Sequence, residues 1–201
     1  MMRRGLTLLE LTVALTVTAT AAAAGWGALA TLVDHRRRAH EATAEVERAA
    51  AVRRALVAWL EGAHAPAEGA GPPFELTDRS FRGRPDDELQ LLTSAGTPLG
   101  EGAVGVRLFV DRDHRTPERG LTAEFTDRGR GRITRLELDS SVVALEVRCL
   151  TDLLGRREWM RSWLSGVVLP RGIELRPAAA EPERLTPLLR LPLLVVVEGG
   201  R

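Results

Sequence analysis

From Leu11 to Val33 the chain carries no charged residue, and a single carboxylate, Glu10, stands immediately before that run. This apolar stretch constrains the fold more than any other feature. About 23 residues in a helix rise roughly 34 Å, enough to cross a bilayer. An acid within a spanning stretch costs roughly 2.5–3.5 kcal/mol on insertion scales. It is therefore read first as functional, with an opposite charge to be found for it. A carboxylate in the first turn of a helix is also favoured by the helix dipole.

The stretch is rich in Ala and Thr rather than Leu. Small residues let helices approach closely in lipid; biased composition explains them equally well. Trp26 suits an interfacial belt. Arg3 and Arg4 precede the run, and His35-Arg36-Arg37-Arg38 follow it behind Asp34. Positive-inside counting alone would place the second cluster in the cytoplasm. In the opposite orientation that cluster meets lipid head groups or an acidic neighbour.

The order Gly5-Leu6-Thr7-Leu8-Leu9-Glu10 after a short basic leader resembles the prepilin peptidase site of type IV pilins and type II secretion pseudopilins. The resemblance implies cleavage between Gly5 and Leu6 and N-methylation of Leu6. Glu10 then aligns assembly by meeting the terminal amine of a neighbouring subunit, or of its own chain. It also implies a cytoplasmic leader, a single pass through the bacterial inner membrane and a C-terminal domain in the periplasm. Two rival readings exist: a signal peptide cut near Ala21 to Ala24, and a plain membrane anchor.

Beyond the membrane the helix is expected to continue. Ala39 to Leu60 lacks Pro and Gly, and Val46, Ala50, Val57 and Leu60, broadened by Ala49 and Leu56, mark an apolar stripe. A helix from Leu6 to about Glu61 would be roughly 84 Å long, unless it breaks at Gly25 or Gly27. Gly62 and Pro66 end it. Residues 63–80 read as a linker because Ala63 to Pro73 is small, Gly-rich and Pro-rich.

From Phe81 the period becomes two. Leu89 and Leu91 alternate with Gln90, and Val104, Val106, Leu108 and Val110 share a face. Leu121, Ala123 and Phe125, then Thr134, Leu136 and Leu138, then Val143, Leu145 and Val147 repeat it. Ile173 and Leu175 open another run, and Leu189, Leu191, Leu193, Val195 and Val197 close the chain. The expected fold is α+β and pilin-like, a long N-terminal helix against antiparallel sheet. Its expected divisions are leader 1–5, membrane half of the helix 6–33, periplasmic half 34–62, linker 63–80 and β domain 81–201.

Phe81-Arg82-Gly83, the strand Glu88 to Ser94, Val142 to Cys149, Trp159 with Trp163, and Leu169-Pro170 opening a strand are similar to the J-type minor pseudopilin. An inserted arginine at Arg82 and the absence of tyrosine depart from that pattern. The similarity implies a structural subunit at the tip of a filament that exports folded proteins across the outer membrane. Its implied partners are the I- and K-type minor subunits, the major pseudopilin, the prepilin peptidase, the inner-membrane assembly platform and membrane lipid. Trp159 and Trp163 serve as core cover or as interface anchors. The alternatives are a minor pilin priming a type IV pilus or DNA-uptake filament, and a membrane-anchored periplasmic binding domain.

Other chemistry has little support. No nucleophile elbow, phosphate loop or dinucleotide fingerprint is present, so no catalytic residue and no cofactor are expected. His35, His40, His64 and His114 lack ligand spacing, and Asp111 to Glu118 is at most a fragment of a calcium loop. No metal is expected there. The net charge of +1 gives no electrostatic case for nucleic acid. The lone Cys149 reads as a core thiol.

Overall fold

A computed structural model describes residues 8–65, 74–100, 102–127, 129–153, 156–165, 168–185 and 187–197. The chain divides into two compact units, Met1–Glu45 and Val46–Arg201. Helix α1 (Leu8–Glu61) supplies the described part of the first and enters the second. It runs unbroken through Gly25 and Gly27.

In the first unit every described side chain is exposed, Leu15 at 72% and Trp26 at 75% among them. The helix is long and apolar enough to cross a membrane. Its threonines fit that setting. The hydroxyls of Thr12, Thr16, Thr18, Thr20 and Thr31 each donate to a carbonyl three or four residues back, at 2.7–3.0 Å. A polar group satisfied within its own helix needs no water.

In the second unit the last turns of α1 pack on a six-stranded antiparallel sheet. Its strands are β1 (Phe74–Thr77), β4 (Glu88–Thr93), β5 (Val104–Asp111), β6 (Gly120–Asp127), β7 (Arg132–Asp139) and β10 (Trp163–Ser165). The spatial order is β10-β1-β4-β5-β6-β7. Strict alternation puts Leu76, Leu89, Leu108 and Ala123 in one cross-strand row, with Leu91, Val106 and Phe125 in the next. All are buried. Trp59 meets this face edge-on, its ring centroid 5.0 Å from that of Phe125.

A second antiparallel sheet has the order β12-β11-β8-β9. Its strands are β8 (Val142–Leu153), β9 (Arg156–Met160), β11 (Gly172–Ala179) and β12 (Leu193–Val196). Its buried row Val195, Ile173 and Cys149 joins the same core as the first sheet and α1. The short hairpin β2 (Ser80–Phe81) and β3 (Arg84–Pro85) precedes β4. At its tip Arg82 and Gly83 both have positive φ, 51° and 77°, as two-residue hairpin turns demand.

The α+β architecture matches expectation, with several local differences. The helix buries Ala49, Leu56, Trp59 and Leu60, while Val46 is 52% exposed. The stripe is rotated because Trp59, the largest side chain available, sets the contact. Strand β1 lies inside the stretch 63–80 read as linker: Phe74 and Leu76 are buried. Leu136 is 40% exposed because β7 is an edge strand with a neighbour on one side only. Val143 does not share the face of Leu145 and Val147. The register of β8 against β11 slips there, Ala178 opposing Ala144 and Ala179 opposing Val142, and such a bulge reverses the alternation. Leu189 belongs to a single helical turn, α2 (Pro187–Arg190), and Leu191 after it is exposed.

The helix ends without a left-handed cap. Gly62 N–H donates to Ala58 O at 2.9 Å, and the chain turns onto the end of β4, where His64 N–H reaches Leu92 O and Ser94 N–H reaches Gly62 O. A Cβ at Gly62 would lie 2.8 Å from Thr93 Oγ1, so the close approach explains the glycine.

Candidate assembly surfaces

Glu10 lies in the first turn of α1, exposed, next to the charge-free run. Gly5 and Leu6, the residues of the expected cleavage and methylation, lie outside the described residues.

Trp159 and Trp163 do not share a face of one strand. The chain leaves the second sheet after β9, turns at Arg161 and Ser162, and joins the first sheet as β10. Trp159 sits on the outer edge of the second sheet opposite Leu150, 41% exposed. Trp163 pairs with Leu76 at the edge of the first sheet. It packs against the core and donates its indole N–H to Val168 O at 3.1 Å. Core cover thus describes Trp163 and not Trp159, because the turn between them separates the two residues onto different sheets.

The two edges border a cleft of about 780 Å³. Leu76, Met160, Trp163, Leu164 and Leu169 give it an apolar wall, and Asp78, Asp152 and Arg171 a charged rim. The rim is internally paired: Asp152 lies 3.4 Å from Arg171 and 3.8 Å from Arg157, and Asp78 3.8 Å from Arg161. On the outer face of the second sheet, Val196, Gly172, Leu150 and Trp159 form one cross-strand row. Val196 is 71% exposed. Along these edges and this row Trp159, Leu164 and Val196 are exposed apolar side chains.

The outer face of the first sheet is charged instead. Glu75, Gln90, Arg107, Glu124 and Arg135 lie in one cross-strand row. Arg135 Nε is 2.8 Å from Glu124, and Arg107 bonds Glu88. Burial disfavours ionised Glu88, yet the hydrogen bond and charge of Arg107, with Arg79, outweigh it and hold its carboxyl below the ordinary value. Such opposed charges on adjacent strands stabilise the pairing.

Between the sheets lies a polar staple that period and motif did not reveal. Asp87 is fully buried. Its carboxylate accepts the N–H of Val147 at 2.8 Å and of Arg79 at 3.1 Å, and its own N–H donates to Leu145 O at 3.0 Å. Burial raises its pKa, and the two backbone bonds offset this only in part. Beside it Arg112 bonds Asp86 and donates to Val143 O at 2.6 Å. That carbonyl lies at the bulge. Arg112 also stacks over the Phe81 ring at 4.6 Å. Asp86, Asp87 and Glu88 are consecutive acids, and only the neighbouring strand shows that the middle one points inward.

The turn Asp111 to Glu118 is closed by its own side chains. Asp111 accepts from Asp113 N–H at 2.8 Å and from the Thr116 hydroxyl at 3.1 Å. Among the described residues no group of three or more His, Cys, Asp or Glu is placed to hold a metal ion. Cys149 is buried, and burial pushes its thiol pKa up to about 12. No protein-family model matches the chain, and no curated protein matches it.

Proposed function

We propose that this chain is a non-enzymatic minor pseudopilin of a type II protein secretion system, of the J type. It is made as a precursor, inserted into the bacterial inner membrane by α1, cut between Gly5 and Leu6, and assembled at the tip of a periplasmic filament with I- and K-type subunits. The observation that carries the reading is Glu10 in the first turn of a helix long and apolar enough to cross a membrane. That helix ends in the core of an antiparallel β domain. The exposed apolar row around Trp159 and the cleft beside Trp163 offer the domain's contacts to neighbours.

Mass spectrometry of the chain recovered from membranes of its own cell tests this. An N-terminus at a methylated Leu6 is the expected result; an intact Met1 or a cut near Ala24 would refute it. In the same cells Glu10→Ala is expected to abolish assembly into the filament while leaving the thermal unfolding of the β domain unchanged.

A further inference from the structure

We infer that His35, Arg36, Arg37 and Arg38 form a collar that binds the phosphate head groups of anionic phospholipids rather than a protein partner. This rests on reading α1 as membrane-spanning, and not on cleavage of the leader. The four residues are consecutive on α1 and all exposed. Successive helix positions turn by about 100° and rise ~1.5 Å. Four in a row therefore point in every direction around the axis within about 5 Å of height. A protein neighbour approaches from one side and is met by charges spaced three or four apart. Head groups surround a spanning helix on all sides at one level.

The level also fits. The collar begins just past Val33, where the charge-free run ends. Glu10 precedes Arg36 by about 39 Å of helix. The hydrocarbon layer is about 30 Å thick, and about 40–45 Å with both head-group layers. A typical tilt of about 20° leaves roughly 37 Å along the membrane normal. With the collar among the head groups of one leaflet, Glu10 reaches the head-group boundary of the other. The arginines thus set the depth of the helix and, with it, the level at which Glu10 lies.

The neighbouring charges leave the collar available. Arg37 Nε donates to Glu41 Oε1 at 2.9 Å, in a pair whose side chains are 78% and 65% exposed. Water and salt screen such a pair, and a phosphate can replace it through the guanidinium fork. Arg36 and Arg38 make no ion pair among the described residues. Asp34 is the one acid directly beside the cluster.

The test places the full chain in nanodiscs of equal phosphatidylglycerol and phosphatidylcholine and counts the lipids it retains by native mass spectrometry. The wild-type chain is expected to retain phosphatidylglycerol preferentially. Each Arg→Gln change among Arg36, Arg37 and Arg38 should lower that preference about fivefold, and all three together by the order of a hundredfold. Lysine at all three positions should keep most of it. Equal retention of the two lipids by wild type and the triple Gln variant overturns the collar. So does a triple variant that keeps its lipid preference and loses binding to another filament subunit, which would assign the cluster to protein. Carbonate extraction of matching vesicles separates the failures: a chain released by carbonate removes the spanning helix itself, whereas an integral chain without lipid preference removes the collar alone.

Discussion

Replacing Asp87 tests how the two sheets are held together. The Val147 N–H that it accepts is buried, and leaving such a donor unmatched costs about 1–3 kcal/mol. The Arg79 N–H is partly exposed, so its loss falls at the low end of that range. Removing a buried carboxylate returns part of its desolvation cost. We expect Asp87→Ala to destabilise by about 2–3 kcal/mol at neutral pH, and Asp87→Asn by less, since one amide oxygen still accepts. The pH dependence has a definite sign. Burial raises the folded pKa above the unfolded value of 3.8. The folded state then holds the proton more tightly than the unfolded one. The contribution is whole below that value, declines as pH rises through the folded pKa, and is flat above it. Asp87→Asn does not titrate, so the comparison isolates the Asp87 carboxyl together with its weaker charge coupling to Asp78 and Arg161. The stability of wild type minus that of Asp87→Asn should therefore shrink with rising pH across that window. Urea unfolding of the full chain in detergent, followed by tryptophan fluorescence, measures it. A difference that widens with pH would mean that the two N–H bonds to the carboxylate outweigh its burial, and the reasoning would fail.

Three further outcomes are expected. Trp59→Ala should cost about 3–5 kcal/mol and Trp59→Phe about 1–3 kcal/mol, the latter losing the indole bond to Gly96 O at 3.1 Å and part of the buried ring; thermal unfolding ranks the two. Gly120 has φ +67°, and a Cβ there would lie 2.3 Å from Asp139 O, so Gly120→Ala should destabilise by roughly 2–4 kcal/mol with an unchanged urea m-value. The Cys149 thiol, with its pKa pushed up to about 12, should resist a disulfide reagent at pH 8 until the chain unfolds; rapid native labelling would contradict its burial.

The parts of the fold most legible in sequence are those where one physical rule acts alone. Val104 to Val110 and Leu121 to Phe125 alternate because both strands are central and face one core. Alternation loses its meaning where an extra residue enters, as at Val143, or where a strand has no outer neighbour, as at Leu136. Strand β1 is only four residues long and follows Pro72 and Pro73, so the loop composition around it hid the alternation of Phe74 and Leu76. For the surfaces the limits are similar. Glu10 stands out because nothing charged follows it for a long stretch, whereas Asp87 stands between two other acids and is distinguished only by strand β8 beside it. Spacing joined Trp159 and Trp163; the turn at Arg161 and Ser162 parts them.

The threonines of α1 have a consequence for reversibility. Each hydroxyl already has a carbonyl within its own chain, so parting from an adjacent helix strands no donor, and joining one gains little from exchanging that bond. Helices of this kind adhere through close contact of small side chains and come apart without a polar debt. A polymer built on them would be easy to extend and equally easy to withdraw.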